Sequence, residues 1–424
     1  MRTHFNPSFD SPLMQRKTLV PLQWCVMLIG LSVPISVALD NVLMAVVLLG
    51  ALFSLGSISR IAATQPVARA ALMLFAILFL AMLYGATPLK EAVSTLGKYI
   101  DLMFVPIFIF LLADEAVRRK ARHAFILAML ITLFMSYLVG LKILPIMSWM
   151  TVFAEPGNPV IFHSHITQNN MMAFAVFLAL LEWRDATTLA KRIFWGAFAV
   201  LGIFNTLFMV QGRTGYLILL VLLGWFVWTS LARHMRKRGK SWGWKQGVSI
   251  VLVIIVGSFA AYQGSARLHD RVALVASDYQ AWTPDHGKLT STGQRLDFYS
   301  NTLQIVREHA FFGVGTGGFP AAFAQQIQGK DVMETNNPHN EYLMIAVQTG
   351  IIGLALLLYL FYTQWRYAPL LHTSFEQDAA RGLVLAYLVN CSLNSALRDH
   401  ADGLFFAFMT AVLFAGLKRE TQRA

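Results

Sequence analysis

Arg213 lies in Gln211-Gly212-Arg213-Thr214-Gly215, a turn between two apolar runs so short that it sits at membrane depth. Arg295 opens a helical pattern in a long polar stretch, and Arg267 and Arg271 directly follow another apolar run. An arginine near hydrocarbon is costly unless it faces a cavity or a partner, so such positions point to function. The planar guanidinium fork suits bidentate binding of phosphate, a geometry lysine does not reproduce. His339 stands in Asn336-Asn337-Pro338-His339-Asn340-Glu341, just ahead of a further apolar run. Asn followed by Pro reads as a helix cap and first helical residue. That places His339 in a first turn, where the positive end of the helix dipole favours the neutral ring. A neutral imidazole is what a general base requires. The competing readings are arginines that snorkel to the interface and a histidine that only hydrogen-bonds there.

Other constellations carry less. Gly313-Val-Gly315-Thr-Gly317-Gly318 formally matches a dinucleotide fingerprint, but a helical pattern precedes it where a strand is required. A tight glycine turn, whose backbone passes close to another surface such as the membrane, is the better reading. His163 and His165 have no third ligand at helical spacing, so no metal is expected. Lys98 and Asp101 are spaced to neutralise each other within a helix. Arg398-Asp399-His400 and Asp402 read as interface polarity in a turn. The chain has no Asp-x-Asp pair, the usual grip on a metal–nucleotide donor. No cofactor is called for.

These residues need apolar elements to hold them. Of 424 residues 56% are hydrophobic and 13% charged, with a mean hydropathy of +0.56. So little charge cannot coat a soluble chain of this length, since soluble domains carry about 25%. At the usual ~20 residues per span, about twelve windows can cross a bilayer. They are roughly 19–39, 42–58, 67–84, 95–113, 124–141, 166–183, 193–211, 214–231, 247–264, 341–362, 379–397 and 402–417. With the N-terminus inside, about two thirds of the 34 lysines and arginines fall in inner segments, which puts both termini in the cytoplasm. The net charge of +12 therefore reports topology, and no nucleic-acid partner is expected. Cys25 and Cys391 both lie in apolar runs and imply no disulfide framework.

The expected architecture is a single all-α polytopic membrane domain over 1–424, with a large, partly helical periplasmic loop, 265–340, inserted between spans 9 and 10. A second outer segment covers 142–165. Within the large loop Leu296, Tyr299, Leu303 and Val306 recur at helical spacing behind caps offered by Thr290, Ser291 and Thr292. Such a helix lies on the membrane surface or over a cavity.

The pattern resembles the O-antigen ligase and polymerase superfamily of membrane glycosyltransferases. The similarity rests on Gln211-Gly-Arg213-Thr-Gly215 and on Thr292-Gly-Gln-Arg295-Leu-Asp-Phe298-Tyr299 followed by His309-Ala-Phe-Phe-Gly313-Val-Gly315-Thr-Gly317. Asn337-Pro-His339-Asn-Glu341-Tyr-Leu343, with Gly350-Ile-Ile-Gly353 behind it, completes the set. His163-Ser-His165-Ile-Thr-Gln168-Asn169-Asn170 is more similar to ligases than to polymerases. Arg307 with Gly318 resembles a polymerase loop motif more weakly. The resemblance implies metal-independent, inverting glycosyl transfer on the periplasmic face of a Gram-negative cell inner membrane, within lipopolysaccharide biosynthesis. The donor would be O-antigen on undecaprenyl pyrophosphate and the acceptor a hydroxyl of the lipid A–core, both held among membrane lipids. By the same resemblance His339 is the catalytic histidine, Arg213 and Arg295 bind the donor pyrophosphate, and Arg267 is a possible additional contact. Alternatives are an O-antigen polymerase, a protein O-oligosaccharyltransferase, or a twelve-span lipid or solute transporter. A transporter would place its polar set at the bilayer midplane.

Overall fold

A computed structural model describes residues 13–239, 263, 273, 277, 279, 282 and 290–417. The expected span 247–264 falls almost wholly outside them, as do Arg267 and Arg271. The first half of the chain folds as α1 (Leu13–Ser32), α2 (Val37–Ala51), α3 (Leu55–Thr64), α4 (Pro66–Tyr84), α5 (Leu89–Gly97), α6 (Asp101–Leu111) and α7 (Glu115–Gly140). Then come α8 (His165–Asp185), α9 (Leu189–Phe204) and α10 (Arg213–Lys237). The later helices are α11 (Ser291–Glu308), α12 (Phe319–Gln326), α13 (Glu341–Tyr367), α14 (Ser374–Leu393) and α15 (His400–Phe414). No named strand occurs among the described residues.

Seven helical stretches among these residues are long and apolar enough to cross a membrane: Val37–Thr64, Pro66–Tyr84, Leu89–Leu111, Glu115–Gly140, Leu189–Met209, Arg213–Lys237 and Glu341–Leu370. Leu19–Ser32 and His400–Phe414 are shorter apolar helices. The expected spans 166–183 and 379–397 form α8 and α14, which bury several polar side chains, among them Gln168, Asn169 and Asn170 on α8 and Asn390 on α14. The protein is an all-α membrane protein. The first expected span ends early, because the chain turns at Pro34 and restarts with Ser36 capping α2.

Local chemistry explains where the helices start. Gln65 accepts from Ala68 N (2.7 Å) ahead of Pro66 at the first position of α4. Asp114 caps α7, and Thr373 with Glu376 forms a full capping box on α14. Packing then sorts the helices. Every residue from Ala401 to Phe414 is buried, and a helix apolar on all sides belongs at the centre of a bundle. Phe405 stacks on Phe125 (5.2 Å between centroids) and meets Phe174 edge-on (5.7 Å), tying α15 to α7 and α8.

The two ends of the bundle differ in chemistry. At one end Asp378 on α14 accepts from both Arg184 on α8 and Arg233 on α10, each at 2.8 Å. There Arg122 on α7 also pairs with Glu182 on α8 (3.0 Å). These arginines belong to segments expected on the inside. The opposite end gathers the starts of α8, α10, α13 and α15 and the end of α14, and it carries the candidate residues.

Lys98 and Asp101 do not pair as expected. The helix breaks between α5 and α6, Lys98 is exposed, and Asp101 turns inward beside Gly403 with both carboxylate oxygens unbonded.

The cluster Gly313 to Gly318 is a tight turn, and its partner is protein. α13 is broken at Gly350, which takes φ 65° and ψ −159°. A broken helix leaves backbone groups without partners, a serious cost inside a membrane protein. The glycine turn supplies them. Val314 N donates to Val347 O (2.8 Å), Gly315 N to Gln348 O (3.0 Å), and Ile351 N donates back to Ala310 O (2.8 Å). A Cβ on Gly313 would stand 2.4 Å from Val347 O, and one on Gly350 would stand 2.1 Å from Phe311 O. Both glycines are needed for approach as well as for positive φ.

Candidate functional site

α11 is the element that brings the predicted residues together. Thr290 caps it by accepting from Gly293 N (3.1 Å), one of the three caps expected. Its buried side is rotated from the expected one. Phe298, Asn301, Thr302 and Ile305 face the protein, whereas Leu303 is exposed. Phe298 and Ile305 join Phe319, Phe323, Met344 and Val347 in a small apolar core that seats α11 on α12 and α13. The seat leaves Thr292, Arg295, Phe298 and Tyr299 at helical spacing along one strip.

That strip spans the site. At its start Thr292 Oγ1 accepts from Arg213 Nη1 at 3.4 Å. At its far end Phe298 lies nearly parallel to the His339 ring, with centroids 6.3 Å apart and planes at 22°, and Tyr299 donates to His339 O at 3.1 Å. Arg295 stands between these contacts, one turn from each, and its charge acts on His339. Arg307, at the exposed end of α11, stands three turns further on.

His339 is not in a first helical turn. α13 starts at Glu341, with Asn340 as its cap accepting from Leu343 N (3.0 Å). His339 takes φ 54°, in the left-handed region, which cannot continue into a right-handed helix. Such a non-glycine conformation costs on the order of 1–3 kcal/mol and persists only where its surroundings over-determine it. They do so here. Asn337 Oδ1 accepts from both His339 N (2.9 Å) and Ser395 Oγ (2.7 Å), and Asn340 Nδ2 donates to Ser392 O (2.9 Å). The neutral ring is favoured here for a reason other than the helix dipole. Burial, then the charges of Arg295 and Arg398, push the imidazole below its ordinary 6.5.

Beneath Arg213 the turn rests on α8. A Cβ on Gly212 would approach Asn169 Nδ2 to 2.5 Å, and one on Gly215 would approach Asn169 Cβ to 2.4 Å. Thr214 Oγ1 accepts from Asn394 Nδ2 (3.2 Å). Around it Asp402 accepts from Thr167 (3.0 Å), from Asn170 and from Asn390. The His163–Asn170 segment thus supports the Arg213 turn. His163 itself bonds Val33 O (2.9 Å) through Nε2.

Sequence reasoning missed Arg398. Read as interface polarity, it stands on the α14–α15 turn and reaches His339 and Glu341 electrostatically. No spacing rule links position 398 to 339, so only a paired contact between distant segments reveals it.

Fold and site together define a membrane-embedded helical protein that gathers Arg213, Arg295, Arg398 and a half-buried histidine, His339, at one end of its bundle. Residues 197–358 match the model of the O-antigen ligase family, a stretch that contains Arg213, Arg295 and His339. A protein of Haemophilus influenzae described as uncharacterized is 25% identical over 121 residues. The match covers 27% of this chain and 30% of that protein, so the chain spans under a third of that relative's length.

Proposed function

We propose that the protein is an O-antigen ligase. It transfers polysaccharide from undecaprenyl pyrophosphate to a lipid A–core hydroxyl at the periplasmic face of the inner membrane, without metal and with inversion. The observation that carries this reading is the strip on α11, which sets Arg295 between the Arg213 contact and the His339 contact.

The roles follow from charge. Two guanidinium groups can bind an anion and cannot take a proton, so they hold the pyrophosphate and stabilise the charge it gains on leaving. A sugar hydroxyl does not ionise near neutral pH, so its proton must go to a base as the new bond forms. His339 takes that proton while the acceptor oxygen attacks the anomeric carbon. The bond from that carbon to the pyrophosphate oxygen breaks, and undecaprenyl pyrophosphate leaves as an anion. Pyrophosphate needs no general acid to depart.

The test is purified protein in nanodiscs given lipid-linked polysaccharide and either lipid A–core or a lipid-linked O-unit. Glycosylated core is the expected product. Chain extension of the O-unit alone would replace the ligase reading with the polymerase one.

A further inference from the structure

The turn between α14 and α15 is fastened to the site on both sides of His339. Ser395 Oγ donates to Asn337 Oδ1 (2.7 Å), and Leu397 N donates to Glu341 Oε2 (2.8 Å). Arg398 follows directly, so a third guanidinium is carried to the same histidine from a helix turn that neither Arg213 nor Arg295 touches in sequence.

The carboxylates beside Arg398 accept from main-chain and tyrosine donors, although the Arg398 charge reaches Glu341. Asp399 Oδ1 accepts from Ala401 N (3.1 Å) and Asp402 N (3.2 Å) as the cap of α15. Glu341 gives one oxygen to the Tyr99 hydroxyl (2.9 Å) and the other to Leu397 N. None of the ion pairs among the described residues includes Arg398. Its Nε is buried and meets no hydrogen-bond acceptor among them. A buried guanidinium donor without an acceptor is unfavourable, and a structure that keeps one calls for an explanation. An acceptor supplied by a bound ligand is the explanation that fits a site where Arg295 acts on the same histidine and Arg213 contacts the same helix as Arg295.

We infer that Arg398 is a third anion-binding residue of the site, donating to a phosphoryl oxygen of a bound substrate. The inference rests on the transferase reading, under which two sources offer that oxygen: the donor pyrophosphate and a phosphate on the acceptor lipid. Besides Arg398, the charge that acts on the His339 ring is that of Arg295 on α11, while Tyr299 of α11 bonds the main-chain carbonyl of the same residue. Removing the Arg398 charge therefore lets His339 protonate more readily.

The experiment compares full-length wild type, Arg398→Gln and Arg398→Lys in nanodiscs. The readouts are binding of undecaprenyl pyrophosphate, KM for lipid A–core before and after phosphatase treatment, and the pH profile of kcat/KM. Loss of a charge-assisted hydrogen bond predicts roughly tenfold weaker binding or more in Arg398→Gln, with Arg398→Lys between it and wild type. Weakened undecaprenyl pyrophosphate binding identifies the donor as the source. A raised KM for the phosphorylated acceptor alone identifies the acceptor. In either case the acid limb of Arg398→Gln moves to higher pH, which loss of packing alone would not produce. Wild-type binding, wild-type KM for both acceptors and an unmoved limb would overturn the inference. Should the variants fail to fold, phenylglyoxal labelling of wild type decides. Protection of Arg398 by undecaprenyl pyrophosphate or by phosphorylated acceptor supports the inference, and equal labelling with and without them defeats it. A wild type that transfers nothing but still shows this protection would sink the ligase reading while leaving the anion site standing.

Discussion

The Tyr299 hydroxyl donates to the main-chain carbonyl of His339 across 3.1 Å, joining helix α11 to the residue just ahead of the cap of α13. The bond fixes backbone, so it sets where the imidazole points without touching the ring. Tyr299→Phe removes it and keeps the aromatic packing. kcat is expected to fall several-fold with donor KM nearly unchanged, read by steady-state transfer. A fall in donor affinity with kcat intact would show that Tyr299 serves the donor instead.

Arg213→Lys and Arg295→Lys keep charge but lose the fork. For each, transfer should fall strongly and undecaprenyl pyrophosphate should bind more weakly, because a point charge cannot make the paired contacts. Single-turnover transfer and binding in nanodiscs measure both. Near-normal ligation by the two lysine variants would remove the arginines from the donor site.

His339→Ala should bind the donor and transfer little, since loss of a general base costs about 10²- to 10⁴-fold in rate. In wild type the same histidine sets an acid limb. Burial and the two nearby arginines hold its pKa below 6.5, so the neutral, active ring is already dominant at pH 7. Activity should rise through a midpoint under 6.5 and then level off, and Arg295→Gln should shift that midpoint upward. Transfer by wild type should also survive EDTA. A midpoint above 6.5, or EDTA inhibition relieved by added metal, would contradict this chemistry.

Gly350→Ala places a Cβ 2.1 Å from Phe311 O at a residue whose φ is 65°. Strain of this kind costs on the order of 1–3 kcal/mol, before the displacement of the glycine turn is counted. Thermal stability should drop, and protease sensitivity should rise between Ala310 and Gly318. A variant as stable and resistant as wild type would mean that the break in α13 does not depend on this contact.

Reporter fusions at Lys288 and at the C-terminus should report opposite sides of the membrane, periplasm and cytoplasm respectively. The reason is the cluster of Arg122, Arg184 and Arg233 at the end of the bundle away from His339. The same side for both fusions would overturn the orientation and with it a periplasmic site.

Much of this architecture was legible in one dimension. Apolar run length fixes which segments become membrane helices, because every backbone group in hydrocarbon must bond within its own helix. That physics is local, so α4, α7, α10 and α13 fall close to the expected windows. The caps Thr290, Asp114 and Thr373 are equally local, each bonding within three residues. The chemistry of Arg213, Arg295 and His339 was also readable, since guanidinium and imidazole keep their nature wherever they sit. What the sequence could not supply is pairing between distant segments. The left-handed turn at His339 is imposed by contacts from residues 299 and 395, so a rule based on Asn337-Pro338 alone puts it in a helix. The break at Gly350 is stable only because residues 310–315 fill it, and Arg398 joins the site only because Ser395 and Leu397 bond residues more than fifty positions away. Run length and side-chain type are properties of the chain. Which unsatisfied groups meet is a property of the packed bundle.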